Sequence, residues 1–384
     1  MSRSFLTKII NCYKILSIVL LNVVIFLLLL NYVASVGIKA FEASSSGAEK
    51  QFGLFKYKEF NPILAPVYPN LQPSEVDRLL KETRSVSLGY EPYVQFRERP
   101  YSGKFVNVFP QGFRPVKNQG GWPPNSEDIN IFIFGGSTVF GYGVEDSETI
   151  ASFLQQQLVL RSGKSVRVFN FGRCSYIFPQ EVVFLERLLA SQFVPKIAIF
   201  IDGLNDFAHY NGLPGFTKDL TRFMEDGDEA PLKRWVADWP LIKLIRSHSS
   251  TQKTSPEISD DEVLKAVRER YLANKKVAEQ LTSGFGVKPL FVWQPVPVYK
   301  YDEDYNIFKD FNYDRFLPYL RSGYLGMSRE NQAGRFGSNF LWLADMQLDL
   351  KEPLYVDAVH YSARMCEMMA CRISEKIIQE GLID

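Results

Sequence analysis

Four short stretches of this chain carry residues that could act together on one carbonyl group. Ser137 follows Gly135-Gly136 at the end of an apolar run. A glycine turn presents such a serine openly and lets a substrate come close. In Asp357-Ala358-Val359-His360 an aspartate stands three residues before a histidine. It can accept from the imidazole Nδ1–H while Nε2 faces a serine, which fixes the tautomer and stabilises the imidazolium formed on proton transfer. Gly172, in Asn170-Phe171-Gly172-Arg173, leaves a backbone N–H open to an incoming oxygen. Asn205, in Asp202-Gly203-Leu204-Asn205-Asp206, offers a neutral amide, which stabilises a developing oxyanion without titrating. Each stretch alone also fits a structural role: a capping serine, a strand-end turn, a capping asparagine, a helix-start aspartate beside a buried histidine. The chemistry requires all of them in one place.

The elements that must bring them there begin at residue 129. INIFIFG, VRVFNFG, KIAIFIDG and KPLFVWQPVPV read as strands. Between them, SETIASFLQQQLVLR (with Ser147 as N-cap), FPQEVVFLERLLASQF and residues 259–283 read as helices. The C-terminal SARMCEMMACRISEKIIQE is helical, with Met365, Met369, Ile373 and Ile377 at i,i+4 spacing toward a core. Apolar strands alternating with amphipathic helices predict an α/β fold, a three-layer α/β/α sandwich around a parallel sheet, flavodoxin-like in arrangement. Its ligand crevice lies beyond the carboxyl ends of the strands. Ser137, Gly172 and Asn205 each fall in a turn just after a strand, and Asp357–His360 precede the last helix. Residues 211–258 and 300–350 break the alternation and read as insertions of loops or short helices. Residues 53–128, rich in Pro, Gly and aromatics, read as a loop-rich extension with one helix near Ser74–Thr83.

Taken together, GGST at 135–138, NFG at 170–172, GLND at 203–206 and DAVH at 357–360 resemble the first, second, third and fifth blocks of the SGNH/GDSL hydrolase family. The resemblance covers residues 129–380. It implies a serine esterase with Ser137 as nucleophile, His360 as base and Asp357 orienting it. The N–H of Ser137, the N–H of Gly172 and the Asn205 amide would form the oxyanion hole. Gly136 stands where the family often has aspartate, which marks a divergent branch. The Ser…Asp…His order also fits α/β-hydrolases, but the chain has no GxSxG elbow. The same acyl-serine passed to a sugar hydroxyl would make an O-acyltransferase. A third reading is an inactive SGNH-fold module that binds polysaccharide.

Ahead of this region, residues 15–38 carry no charge. At about 1.5 Å per residue they can cross a hydrocarbon core of about 30 Å. Arg3, Lys8 and Lys14 precede them without an acidic residue, so 1–14 stay in the cytoplasm and the remainder is exported. A cleaved signal peptide is the competing reading, although Ala34-Ser35-Val36 and Ile38-Lys39-Ala40 are imperfect cleavage motifs. Residues 39–52 read as a polar linker. The expected organisation is therefore a tail (1–14), a transmembrane anchor (15–38), a linker, the 53–128 extension and a 129–384 catalytic domain facing the periplasm or cell surface.

The rest of the composition narrows the options. A net charge of +1 argues against a nucleic-acid binder. Four cysteines without a CxxC, and three histidines without HExxH, predict no metal and no cofactor. Cys366 and Cys371 are five positions apart on a helix, hence on different faces, and Cys174 is taken as structural. His209 is a competing base beside Asp206, and His248 reads as solvated. Gln294, at a strand end, is a candidate substrate contact. Trp235, Trp239, Trp293, Trp342 and the stretch 299–319 could stack on sugar rings or pack a core. The expected partners are an ester-bearing substrate, with an acylated cell-envelope glycan as one candidate, and the membrane; protein partners are unknown.

Overall fold

The computed structural model describes residues 3–44, 59–217, 220–221, 224, 239–242 and 259–384. The smaller unit, residues 1–51 with 218–257, contains the helix α1 (Arg3–Ser44). Its stretch Ile10–Ile38 is long and apolar enough to cross a membrane, as an anchor or as a signal sequence. The helix continues past Ile38, where a linker was expected. Most of that linker, and most of the 211–258 insertion with His248 and Trp235, lie outside the described residues.

The larger unit is built on one five-stranded sheet with every neighbouring pair parallel. The extension contributes α2 (Pro73–Ser85) and two small hairpins, β1 (Leu88–Glu91) with β2 (Gln95–Glu98) and β3 (Tyr101–Ser102) with β4 (Asn107–Val108). The central sheet holds β5 (Ile129–Gly135), β6 (Val166–Asn170), β7 (Ile197–Asp202), β8 (Lys288–Trp293) and β9 (Phe340–Trp342) in the order β6-β5-β7-β8-β9. The α-helices described in this unit include α3 (Ser137–Phe140), α4 (Ile150–Ser162), α5 (Phe178–Ala190), α6 (Leu204–Ala208), α7 (Asp260–Gly284), α8 (Tyr313–Phe316), α9 (Leu320–Gln332) and α10 (Ala363–Gln379).

Alternation along β5 builds both outer layers. Ile131 and Ile133 join one core with Leu154 and Leu158 of α4 and Met365, Met369, Ile373 and Ile377 of α10. Phe132 and Phe134 join the other core, with Val182 and Leu185 of α5 and Val267 and Tyr271 of α7. Successive side chains of a strand face opposite ways, so a strand buried on both faces reads as a nearly continuous apolar run. This gives the expected three layers. The chain leaves β5 for β6 on one side and reaches β7 on the other. The topological switch, where such sheets open a crevice, therefore lies at the carboxyl end of β5.

Two local expectations are corrected. Residues 300–350 are not only loops and short helices: they supply the thirteen-residue α9 and the edge strand β9. Three residues are too few to show a strand period, and Gly323 and Gly326 interrupt the apolar pattern of α9. The N-cap of α4 is Thr149, whose hydroxyl accepts from the Ser152 N–H at 3.2 Å. Ser147 lies two residues earlier in a 3-10 segment, Asp146–Glu148.

Candidate active site

Ser137 is the first residue of α3, directly beyond β5. As the first residue of a helical turn, its N–H has no acceptor inside that turn. His360 comes from the other end of the chain, in a tight loop before α10. Val356 N–H donates to the His360 carbonyl at 2.9 Å and Ser362 N–H to that of Leu354 at 2.9 Å, which closes the loop. Tyr313 donates to the Ala358 carbonyl at 2.8 Å and Tyr361 to that of Pro295 at 2.8 Å, which fixes its orientation.

The geometry joins these distant residues. His360 Nε2 lies 2.8 Å from Ser137 Oγ, and His360 Nδ1 lies 2.6 Å from Asp357 Oδ2. An ionised carboxylate can only accept, so Nδ1 carries the ring proton and Nε2 is left to accept from the serine hydroxyl. Asp357 Oδ1 accepts the backbone N–H groups of Val359 (2.9 Å) and His360 (2.8 Å), so both carboxylate oxygens have donors. Ser137 is 9% exposed, and Asp357 and His360 are each 2% exposed. This relay is therefore nearly dry, where charge-assisted hydrogen bonds act most strongly.

Asn205, on α6 beyond β7, donates one amide hydrogen to the Tyr176 carbonyl at 2.7 Å. An amide nitrogen has two hydrogens, so a second donor remains. That nitrogen lies directly over Gly136: a Cβ built there would collide with Asn205 Nδ2. Glycine at the position before Ser137 thus makes room for the amide.

Gly172 behaves differently from the expectation. Its N–H donates to Asn170 Oδ1 at 3.0 Å, and Asn170 Nδ2 donates to the Val139 carbonyl at 2.9 Å. A Cβ at 172 would strike Phe140 N and lie 2.6 Å from the Val139 carbonyl carbon. What the glycine does here is let the turn after β6 press against the backbone of α3.

Gln294 is also corrected. It is 3% exposed, and its carbonyl oxygen accepts from Thr138 Oγ1 (2.8 Å) and Tyr361 (3.2 Å). Its oxygen thus braces Thr138 and Tyr361, the neighbours of Ser137 and His360. Trp293 is fully buried and stacks on Trp342 at 6.4 Å, so it packs the core and is closed to a sugar. His209 caps α6, with its carbonyl held by Arg270 at 3.3 Å, and burial pushes its imidazole down. Burial pushes the Cys174 thiol up to about 11, in keeping with a structural cysteine.

Two residues outside the sequence-level set belong to the site. The Tyr142 ring stacks on His360, with centroids 5.2 Å apart and planes 21° from parallel. Its hydroxyl shares a hydrogen bond with the Cys174 thiol. The available signal was its place five residues after Ser137, between Gly141 and Gly143. The second residue is Arg114, which holds the loop that bears Tyr142.

Next to Asn205, Asp206 belongs to a buried acidic cluster with Glu181 and Asp202. Burial, with Asp206 beside it, raises Glu181 well above the usual carboxylate range. Burial, with Glu181 close by, raises Asp202 likewise. Acids raised in the folded state favour folding at low pH, and that contribution fades as rising pH ionises them. Unfolding free energy is therefore expected to fall as pH climbs above the ordinary carboxylate range, and Glu181→Gln should flatten that slope. Urea midpoints between about pH 5 and 8 check this; equal slopes in wild type and variant would refute it.

The chain matches no protein-family model and no curated protein. Among solved structures it is similar to a lipase/acylhydrolase from Enterococcus faecalis, at 14% identity over 65% of this chain and 96% of that one, with a TM-score of 0.36. It is also similar to a member of the lipolytic G-D-S-L family from Veillonella parvula, at 13% identity over 65% and 96%, with a TM-score of 0.32. A third is a psychrotrophic esterase from a Pseudoalteromonas species, at 13% identity over 67% and 100%, with a TM-score of 0.32.

Proposed function

We propose that this chain is a serine ester hydrolase of the SGNH type that works through an acyl-serine intermediate. The observation that carries the reading is the continuous relay Asp357–His360–Ser137, at 2.6 and 2.8 Å. His360 Nε2 takes the Ser137 hydroxyl proton as Oγ attacks the ester carbonyl. The carbonyl oxygen becomes an oxyanion, held by the Ser137 N–H and the second hydrogen of the Asn205 amide. Gly172 N–H can add a third bond by leaving Asn170. His360 then passes its proton to the departing alkoxide, which leaves as the alcohol. Water attacks the acyl-serine with His360 again as base, releasing the acid and restoring the hydroxyl.

Asn205→Ala removes one oxyanion donor. Its kcat is expected to fall by about a hundred- to a thousandfold with KM nearly unchanged, because the bond forms with the charge. Steady-state kinetics measure this; a loss confined to KM would refute the assignment.

The leading substrate is an ester on a cell-envelope glycan, met by an exported domain. In that reading 1–14 stay cytoplasmic, 15–38 span the membrane and the chain beyond the linker faces the periplasm or cell surface. It draws support from the apolar N-terminal helix. Delivery of the acyl group to a sugar hydroxyl would use the same intermediate. The test is acyl release by the full chain in detergent, from an activated acetate ester to water and to added oligosaccharide. Ser137-dependent release to water supports the hydrolase, and release that requires the sugar turns the reading to an acyltransferase. A folded wild type that releases nothing overturns it in favour of a binding module.

A further inference from the structure

Ser137 opens a helix only four residues long, and Tyr142 follows it in a loop between two glycines. Neither is stable alone. A single helical turn fixes several backbone angles for few hydrogen bonds. Gly141 and Gly143 both sit at positive φ, 89° and 81°, where glycine backbone is freest. What holds this segment comes from elsewhere in the chain.

We infer that Arg114, on the extension, is a positioning residue for Ser137 and for the ring that covers His360. This inference rests on the proposed hydrolase reading. Arg114 is fully buried. Its Nη1 donates to the carbonyls of Phe140 (3.0 Å) and Gly141 (2.5 Å), and its Nη2 to that of Val144 (2.6 Å). Its Nε donates to Asp146 Oδ1 at 2.7 Å. Tyr68, also on the extension, donates to the Gly143 carbonyl at 2.8 Å. Carbonyls at the end of α3 and around Tyr142 thus find their donors on the extension. Asp146, at the far end of the loop, accepts from Asn107 Nδ2 at 2.8 Å. The guanidinium reaches three carbonyls and a carboxylate in one plane, which a lysine ammonium cannot do. The extension therefore completes the catalytic apparatus of the parallel-sheet domain.

The test compares the fluorophosphonate labelling rate, kcat and KM of wild type, Arg114→Ala, Arg114→Lys and Arg167→Ala, each confirmed folded by a cooperative melt. Arg167 ties the same extension to the sheet at the start of β6, through the Asn118 carbonyl at 2.6 Å. It is the control for loss of a merely structural tie. Arg114→Ala should slow labelling and kcat by about a hundredfold with KM little changed, since misplacing a reacting group by about 1 Å has that effect. Arg114→Lys should recover only part of the loss, and Arg167→Ala should stay within about a factor of two of wild type.

If Arg114→Ala does not fold, Tyr142→Ala and Tyr142→Phe carry the test. The alanine should slow labelling by about tenfold, and phenylalanine, which keeps the stacked ring, should recover most of that loss. A labelled wild type with Arg114→Ala slowed no more than Arg167→Ala, or Tyr142→Ala as fast as wild type, overturns this inference alone. A folded wild type that is never labelled removes the hydrolase reading and this inference with it.

Discussion

Ser137→Ala is expected to lower turnover of an activated ester by about a million-fold, His360→Ala by about as much, and the two together by no more than either alone. The reason lies in the 2.8 Å contact between Nε2 and Oγ. The hydroxyl is a poor nucleophile until the imidazole takes its proton, and the imidazole has no other task at this step. Losing either partner removes the same attack, so the second loss finds nothing left to remove. Steady-state hydrolysis by the single and double variants measures this. Additive losses, or a single variant within about tenfold of wild type, would show that the two groups do not act as a unit.

Asp357→Asn is expected to lower kcat by about ten-thousandfold while the protein stays folded. Asp357 Oδ1 holds two backbone N–H groups of its own loop, and Oδ2 faces Nδ1. An asparagine that keeps the backbone bonds through its oxygen must turn its NH2 toward Nδ1. Nδ1 then has to accept, Nε2 takes the ring proton, and the serine loses its base. Asp357→Ala should also lose stability, because the loop loses both backbone acceptors. Thermal melts beside kinetics separate the two variants. A kcat for Asp357→Asn within about tenfold of wild type would contradict the assigned tautomer.

Much of this arrangement could be read from the residues. Strand runs such as INIFIFG are apolar but for Asn130 because both faces are covered, and their alternation with helices gives the layers. The turn positions of Ser137 and Asn205 follow from where those runs end. Asp357 and His360 are neighbours in sequence, so their pairing was legible as well. Other parts were not, for physical reasons. β9 is too short to carry a period. The N–H of Gly172 is bonded by Asn170, and the oxygen of Gln294 by Thr138 and Tyr361. No spacing rule announces such side-chain contacts. Arg114 lies 26 residues before Phe140, in a stretch without periodicity. A buried arginine there looks like any solvated one until the carbonyls it meets are known.

The nucleophile can be tested most directly by treating the full chain with a fluorophosphonate and mapping the adduct by peptide mass. A single phosphonyl group on Ser137 is expected, formed with loss of fluoride and absent from Ser137→Ala and His360→Ala. An adduct on a different residue, or none on a folded wild type, would contradict it.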